Sequence, residues 1–546
     1  MRLSTLKPSC EHDICIIGSG PAGLTLAREL VGTGLRVLVL ESGIEQATAR
    51  GNRLRALVSD GIQIKPFSRE RVFGGASTTW AGLSSPLDRI DLAVRDWVCD
   101  SGWPISREEL DVGYARAAEL HGFAGLTQLA VDGPLAALRR KGEWQPVWRA
   151  LEEKLFLAAA PAQNFASLHG AIFDGERLDL LLGASVVRLE SERGSARIAR
   201  AILRLADGSE HSAQAGVFVL ATGGIENARL LLLSRDQCPA GLGNEHDQVG
   251  RYLMNHPKNY RGRILFEKPV RSLPWFFGAM HGGFSGYGGL RFTEAEQRAR
   301  GLLNSYVRLE PLFPWTGSQG VEALVTLAKR SRWIMGRVQA QGRRGTVELR
   351  DYAETGDDSV FQEEQRLGVL LGHVLRDLPR VTRYAWSRAV SRRKPAIAAA
   401  RLRNFMEMQP LAENRVLLSE QRDEQGVPLP LVRHRVSELD RRSLIALHAR
   451  LAEELRANGA RLESDLSTAE PWPIDQDASH HMGTTRMGTD PRTSVVDPSL
   501  RVHSVPNLYC AGASVFPTSG CANPTYTIVA LSVRLARHLA GGKSCA

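Results

Sequence analysis

The chain has 546 residues, 43% hydrophobic and 23% charged, with no apolar run of transmembrane length, which excludes a disordered, fibrous or membrane-embedded protein and leaves room for two or more domains. Its net charge of +10 is concentrated: Arg366 to Arg403 carry ten Lys or Arg against one acid, Asp377, so that segment is +9 and the rest of the chain +1. A local excess of this kind argues against a nucleic-acid partner, which needs a broad basic face. The seven cysteines (Cys10, Cys15, Cys99, Cys238, Cys510, Cys521 and Cys545) are odd in number and form no CxxC pair, so neither a disulfide framework nor a zinc site is indicated and no metal is expected. A reducing compartment fits best. Met1 to Asp13 lack an apolar signal core and a twin-arginine pair, so a cytoplasmic location is expected.

The chain opens with a strand, turn, helix, strand unit. Asp13 to Ile17 is apolar and β-branched, Gly18-Ser19-Gly20-Pro21-Ala22-Gly23 follows, Leu24 to Leu30 has helical character, and Leu35 to Leu40 returns as a buried-type strand ending at Glu41. Pro21 stands where a helix begins, a position at which its missing N–H costs nothing. Gly18 and Gly20 let backbone approach a pyrophosphate at the positive helix N-terminus, Gly23 permits close helix–strand contact, and Glu41, 23 residues after Gly18, can accept hydrogen bonds from ribose hydroxyls. This pattern serves NAD and FAD equally.

Further motifs follow in order: Arg71-Val72-Phe73-Gly74-Gly75-Ala76-Ser77-Thr78-Thr79-Trp80, Ser101-Gly102-Trp103-Pro104-Ile105, Ala221-Thr222-Gly223-Gly224, Val249-Gly250-Arg251, His480-His481-Met482-Gly483, Asn507 to Ser514, and Gly520-Cys521-Ala522-Asn523-Pro524-Thr525-Tyr526-Thr527. In this order the sequence resembles the glucose-methanol-choline (GMC) oxidoreductases, and its His and Asn motifs are similar to those of the pyranose oxidase branch. The resemblance implies an α/β (α+β composite) fold: a Rossmann-like FAD-binding domain from 1–250 plus 466–546, and a substrate domain from 251–465 built on an antiparallel sheet with helices. It implies FAD along Gly18, Gly20, Gly23, Glu41, Gly74, Gly75, Ser77, Thr78, Thr79, Val186, Gly512, Ala513 and Thr525. The pyranose oxidase branch can carry a flavin-linked histidine where this chain has Thr79, so the FAD is expected to be non-covalent.

The implied chemistry is oxidation of an alcohol, such as a sugar, cyclitol or glycoside hydroxyl, to a carbonyl by hydride transfer to flavin. That reaction needs a base on the hydroxyl proton. The resemblance gives this role to His480, three residues before Gly483, with His481 the competing choice, and makes Asn523 the partner whose amide donates to the developing alkoxide oxygen. Asn523-Pro524-Thr525 also has the pattern of a helix start, with Asn523 as cap and Thr525 to Leu539 as helix. The helix N-terminus then favours the negative edge of a reduced flavin. Two other classes share these motifs: a GMC-type flavoprotein with lyase-like chemistry, and a redox-inactive FAD-binding module.

The middle of the chain is less informative. Glu407 in Phe405 to Gln409 is read as a packing or solvated strand residue, and Val270 to Gly283 as a Gly- and aromatic-rich loop. Between 366 and 403, apolar residues at 367, 371, 374, 378, 381 and 385 form one helical face, and Arg366, Arg376, Arg380, Arg383 and Arg388 fall largely away from it. Pro379 is expected to kink or divide this helix. Such a basic amphipathic segment is either an ordinary solvated face or a peripheral contact with an anionic membrane or partner. Ala81 stands where the oxygen-reactive branch can place a hydroxyl near the flavin, so a dehydrogenase is expected rather than an oxidase, with the acceptor a quinone, a protein or, failing these, oxygen.

Overall fold

The computed structural model describes residues 1–3, 12–236, 238–344, 347–348, 366–389, 395–464, 466 and 477–541. Cys10, Cys545 and the basic residues Arg392, Arg393 and Lys394 lie outside these.

Among the described residues, two large sheets organise the molecule. The first is eight-stranded, and its central strands are Leu178–Leu181, Val37–Leu40, His12–Ile17 and the C-terminal half of Glu210–Leu220, paired in parallel, with Leu508–Cys510 also parallel to Glu210–Leu220. Burial on both faces explains why these strands read as unbroken apolar runs: Val37 to Leu40 and Phe218 to Leu220 are each at most 1% exposed. The N-terminal half of Glu210–Leu220 turns antiparallel to Ile198–Arg204, which pairs in turn with Ser185–Ser191.

The second sheet is nine-stranded and antiparallel, centred on Phe284–Phe292, Tyr306–Pro311, Ile397–Phe405 and Arg263–Val270. Two segments cross the division expected at residue 250. Leu151–Ala159 pairs with Phe284–Phe292 along its whole length in this second sheet. In the other direction, Pro428–Arg433 pairs with Val58–Asp60, and Asp423 takes an ion pair from Arg229 at 2.8 Å. Strand pairing between distant segments carries no local sequence signal, so neither crossing was visible in the motif order.

Two helices seal the first sheet. Pro21–Glu29 follows the strand His12–Ile17, and Thr525–Leu539 packs on that helix and on Arg107–Leu120. A Cβ at Gly113 would meet Ala530 O at 2.6 Å, so glycine lets these helices approach closely. The C-terminal helix starts at Thr525 with Pro524 as its cap residue. Asn523 is therefore not its side-chain cap: its Nδ2 donates to Leu83 O at 2.9 Å instead.

The basic segment divides, as Pro379 suggested, into Leu367–Arg376 and Leu378–Ala389. The packed face differs from the expected one. Leu370, Val381 and Tyr384 are buried, the latter two against Trp315, Val321 and Val325, whereas Leu367, Leu371 and Leu378 are exposed. The break at Asp377 resets the helical register, and Asp377 is anchored by the hydroxyl of Ser318.

Candidate active site

A cavity of about 550 Å³ is lined by residues of both large sheets. Of the fifteen residues singled out from the sequence, twelve line it: Gly18, Gly20, Glu41, Gly75, Ser77, Thr79, Val186, His480, Gly512, Ala513, Asn523 and Thr525. The other three, Gly23, Gly74 and Thr78, do not. Gly23 lies beneath the loop, where a Cβ would come within 1.9 Å of Gly18 O. Gly74 adopts a left-handed φ of 97° against Ala166, and the Thr78 hydroxyl closes the Gly75–Thr78 turn by donating to Gly75 O at 2.9 Å.

The glycine loops form a cradle of bare backbone. A Cβ on Gly75 would stand 2.9 Å from Gly20 Cα, so the two loops pass side by side, while a Cβ on Gly20 or on Gly512 would meet no atom within 4 Å. Gly20 caps the helix Pro21–Glu29, whose positive end therefore faces the cradle. Glu41 is 6% exposed and fixed from all sides: Ser19 N and Oγ donate to Oε2 at 3.0 and 2.7 Å, and Gly43 N and Ser42 Oγ to Oε1 at 2.8 and 3.1 Å. Two of these donors are rotatable hydroxyls, which can yield to ribose hydroxyls. The Ser77 hydroxyl, by contrast, donates to Gly74 O at 2.6 Å and accepts from Phe165 N at 3.0 Å, so it holds the loop and is not aimed at a phosphate. Thr79 Oγ1 donates to Phe67 O at 2.9 Å.

Charged residues missed in the sequence also line the cavity. Arg69, Arg71 and Arg229 surround Glu226, whose half-buried carboxyl is held well below its usual range by the three guanidiniums around it. Arg71 also donates to Ser42 Oγ at 3.2 Å, beside Glu41. From the second sheet and its approach come Lys258, Tyr287, Arg308, Arg403 and Phe405. Glu310, fully buried, lies 3.7 Å from Arg308 and 3.9 Å from Arg403. Strand spacing alone did not separate these from packing residues.

His480 and His481 both line the cavity, in an extended segment strapped to the chain around Asn255: Met254 and Met482 exchange backbone bonds of 3.0 Å, and His480 N donates to Asn255 Oδ1 at 3.0 Å. His256 Nδ1 lies 3.0 Å from His480 Nδ1 with the rings nearly perpendicular. Asn255 and His256 were not anticipated; their only signal was proximity to Val249-Gly250-Arg251. The Asn523 amide keeps a second N–H beyond the one given to Leu83 O. The cavity thus combines an open backbone cradle at a helix N-terminus, a strand-end carboxylate, and an imidazole and an amide.

That combination on a two-sheet α/β fold defines a dinucleotide-binding oxidoreductase, and the cradle and Glu41 fit FAD. Residues 410–532 match the family model for GMC oxidoreductases and residues 11–59 that for an FAD binding domain. The chain is 26% identical to 6'''-hydroxyparomomycin C oxidase of Streptomyces lividus over 97% of its own length and 91% of that protein's. It is 27% identical to the fructose dehydrogenase large subunit of Gluconobacter japonicus over 60% of this chain and 48% of the other. The solved pyridoxine 4-oxidase from Mesorbium loti shares the fold, with a TM-score of 0.55 and 18% identity over 96% of this chain and 99% of that one. The chain belongs to the GMC oxidoreductase family, with FAD as its cofactor.

Proposed function

We propose that this protein oxidises a hydroxyl of a sugar-like small molecule to a carbonyl, with His480 as base and Asn523 as its partner. The observation that carries this reading is that His480 and Asn523 line the same cavity as both glycine loops. Bound non-covalently, FAD would supply the hydride acceptor, held by Gly18, Gly20, Glu41, Gly75, Val186, Gly512, Ala513 and Thr525.

The chain's own residues do the rest. His480 takes the hydroxyl proton as the carbon loses its hydride, and the second N–H of Asn523 stabilises the negative oxygen that develops. Lys258, Tyr287, Arg308 and Arg403 make the substrate-facing wall polar, which suits a polyhydroxylated molecule better than a simple hydrocarbon alcohol. Relatives named for fructose and for hydroxyparomomycin C support the same substrate class.

The electron acceptor in this reading is a quinone or a protein and not oxygen, because Ala81 offers no hydroxyl to the cavity it lines. An anionic membrane surface is the partner of the basic helices. Trp333, Leu367, Val369, Leu371, Leu375, Leu378 and Trp386 are all more than a third exposed on Arg332–Arg344, Leu367–Arg376 and Leu378–Ala389. Those three helices contain many arginines and no acid. No helix among the described residues is long and apolar enough to cross a membrane, so contact would be peripheral, from a cytoplasmic enzyme.

The test is product formation. Sugars, amino sugars, cyclitols and simple alcohols are incubated with the enzyme and a soluble quinone, and the products are examined by mass spectrometry for loss of two hydrogens. A sugar-class product supports the reading; no carbonyl product from any compound overturns it.

A further inference from the structure

His256 does not line the cavity and is 2% exposed, yet it joins the two segments that carry His480 and Asn523. Its Nε2 lies 2.9 Å from Gly520 O, three residues before Asn523, and its Nδ1 lies 3.0 Å from His480 Nδ1. A carbonyl oxygen only accepts, so His256 Nε2 carries the proton in that bond. Burial pushes the His256 pKa down to about 4, so near neutral pH the ring has one proton and its Nδ1 is a lone-pair acceptor. A hydrogen bond between the two Nδ1 atoms then requires the proton to be on His480.

We infer that His256 is a positioning residue that fixes His480 as the Nδ1–H tautomer, leaving the His480 lone pair on Nε2, across the ring from His256. One proton direction runs from His480 Nδ1–H to His256 Nδ1 and from His256 Nε2–H to Gly520 O. A base must present a lone pair, and the nitrogen that abstracts a proton is set by the bond the other nitrogen makes. The same device couples the His480 strand to the loop that ends in Asn523. The catalytic meaning of this tautomer rests on His480 being the base; the tautomer itself does not.

The experiment therefore reads the tautomer directly. The FAD-loaded enzyme is labelled with ring-¹⁵N histidine, its spectrum recorded at about pH 8, and the His480 signals among the 14 histidines assigned by their loss in His480→Gln. The expected wild-type result is a protonated, pyrrole-type Nδ1 and an unprotonated, pyridine-type Nε2. His256→Phe should abolish that pattern, and His256→Asn, which restores an acceptor near the place of Nδ1, should recover it. A wild-type His480 protonated on Nε2, or a His256→Phe enzyme with the wild-type pattern, would overturn the inference. Should His256→Phe fail to retain FAD, the wild-type assignment decides alone. If no alcohol yields a carbonyl but the Nδ1–H tautomer is found, the functional reading fails while this one stands.

Discussion

Arg95 meets Glu407 through two parallel bonds, Nη1 to Oε2 at 2.9 Å and Nη2 to Oε1 at 2.6 Å, with neither side chain exposed to solvent. Asn304 N adds a third donor to Glu407 at 2.6 Å, and Asn304 Nδ2 reaches Asp91 at 2.8 Å. The carbonyl of Asp91 receives the Thr518 hydroxyl at 2.6 Å, close to the loop that leads to Asn523. Glu407 does not line the cavity and is satisfied by these donors, so it acts as a buried structural carboxylate. Removing one partner of a buried ion pair strands the other charge at a cost of about 3–5 kcal/mol. Arg95→Met should lower the denaturation midpoint accordingly; a midpoint within about 0.5 kcal/mol of wild type, the size of an ordinary surface change, would show that the pair is not holding this region.

The cofactor should leave the protein on acid precipitation. Thr79 lines the cavity with its hydroxyl committed to Phe67 O, and it offers no ring nitrogen for a covalent link. Yellow colour in the supernatant is expected; colour retained in the pellet would contradict the non-covalent assignment.

Asn523→Ala should slow flavin reduction by about 10²- to 10³-fold, the loss typical of a donor aimed at a developing oxyanion, with FAD still bound. The bond from Asn523 to Leu83 O also fixes the amide plane, so Asn523→Asp should not rescue the rate, since it replaces the donor by an acceptor. A reduction rate unchanged in Asn523→Ala, measured by stopped flow, would remove Asn523 from the mechanism.

The basic helices should bind anionic vesicles reversibly. Each Arg near such a surface adds about 1 kcal/mol, screened by salt, and the exposed Leu375 and Trp386 would add apolar insertion. Sedimentation with phosphatidylserine vesicles is expected at low salt and lost at high salt, and Leu375→Glu with Trp386→Glu should weaken it. Equal recovery with neutral and anionic vesicles would return these helices to an ordinary solvated face.

Much of this was legible in the sequence where function depends on short-range spacing. The helix after Gly18-Ser19-Gly20, the strand ending at Glu41 and the Asn523 to Thr525 corner are local patterns, and each lines the cavity. What stayed hidden depends on tertiary contact. His256 meets His480 across 224 positions, and no periodicity reports such a pairing. Glu41 was legible as a carboxylate at a strand end, but its four donors from Ser19, Ser42 and Gly43 were not. The amphipathic face between 366 and 388 was read in one register across the break expected at Pro379; the break falls at Asp377, and the packed set is Leu370, Val381 and Tyr384, of which Val381 belongs to the expected face.

The most direct measurement is anaerobic mixing of the enzyme with a carbonyl-yielding alcohol while the visible flavin band is followed, in wild type, His480→Ala and His481→Ala. The band should vanish within the wild-type turnover time. His480→Ala should lose it about 10²- to 10⁴-fold more slowly, as expected when a positioned base is removed, with its FAD content unchanged, and His481→Ala should stay much closer to wild type. A band that persists in the wild type, or a His480→Ala enzyme that bleaches as fast as wild type, would contradict alcohol oxidation with His480 as its base.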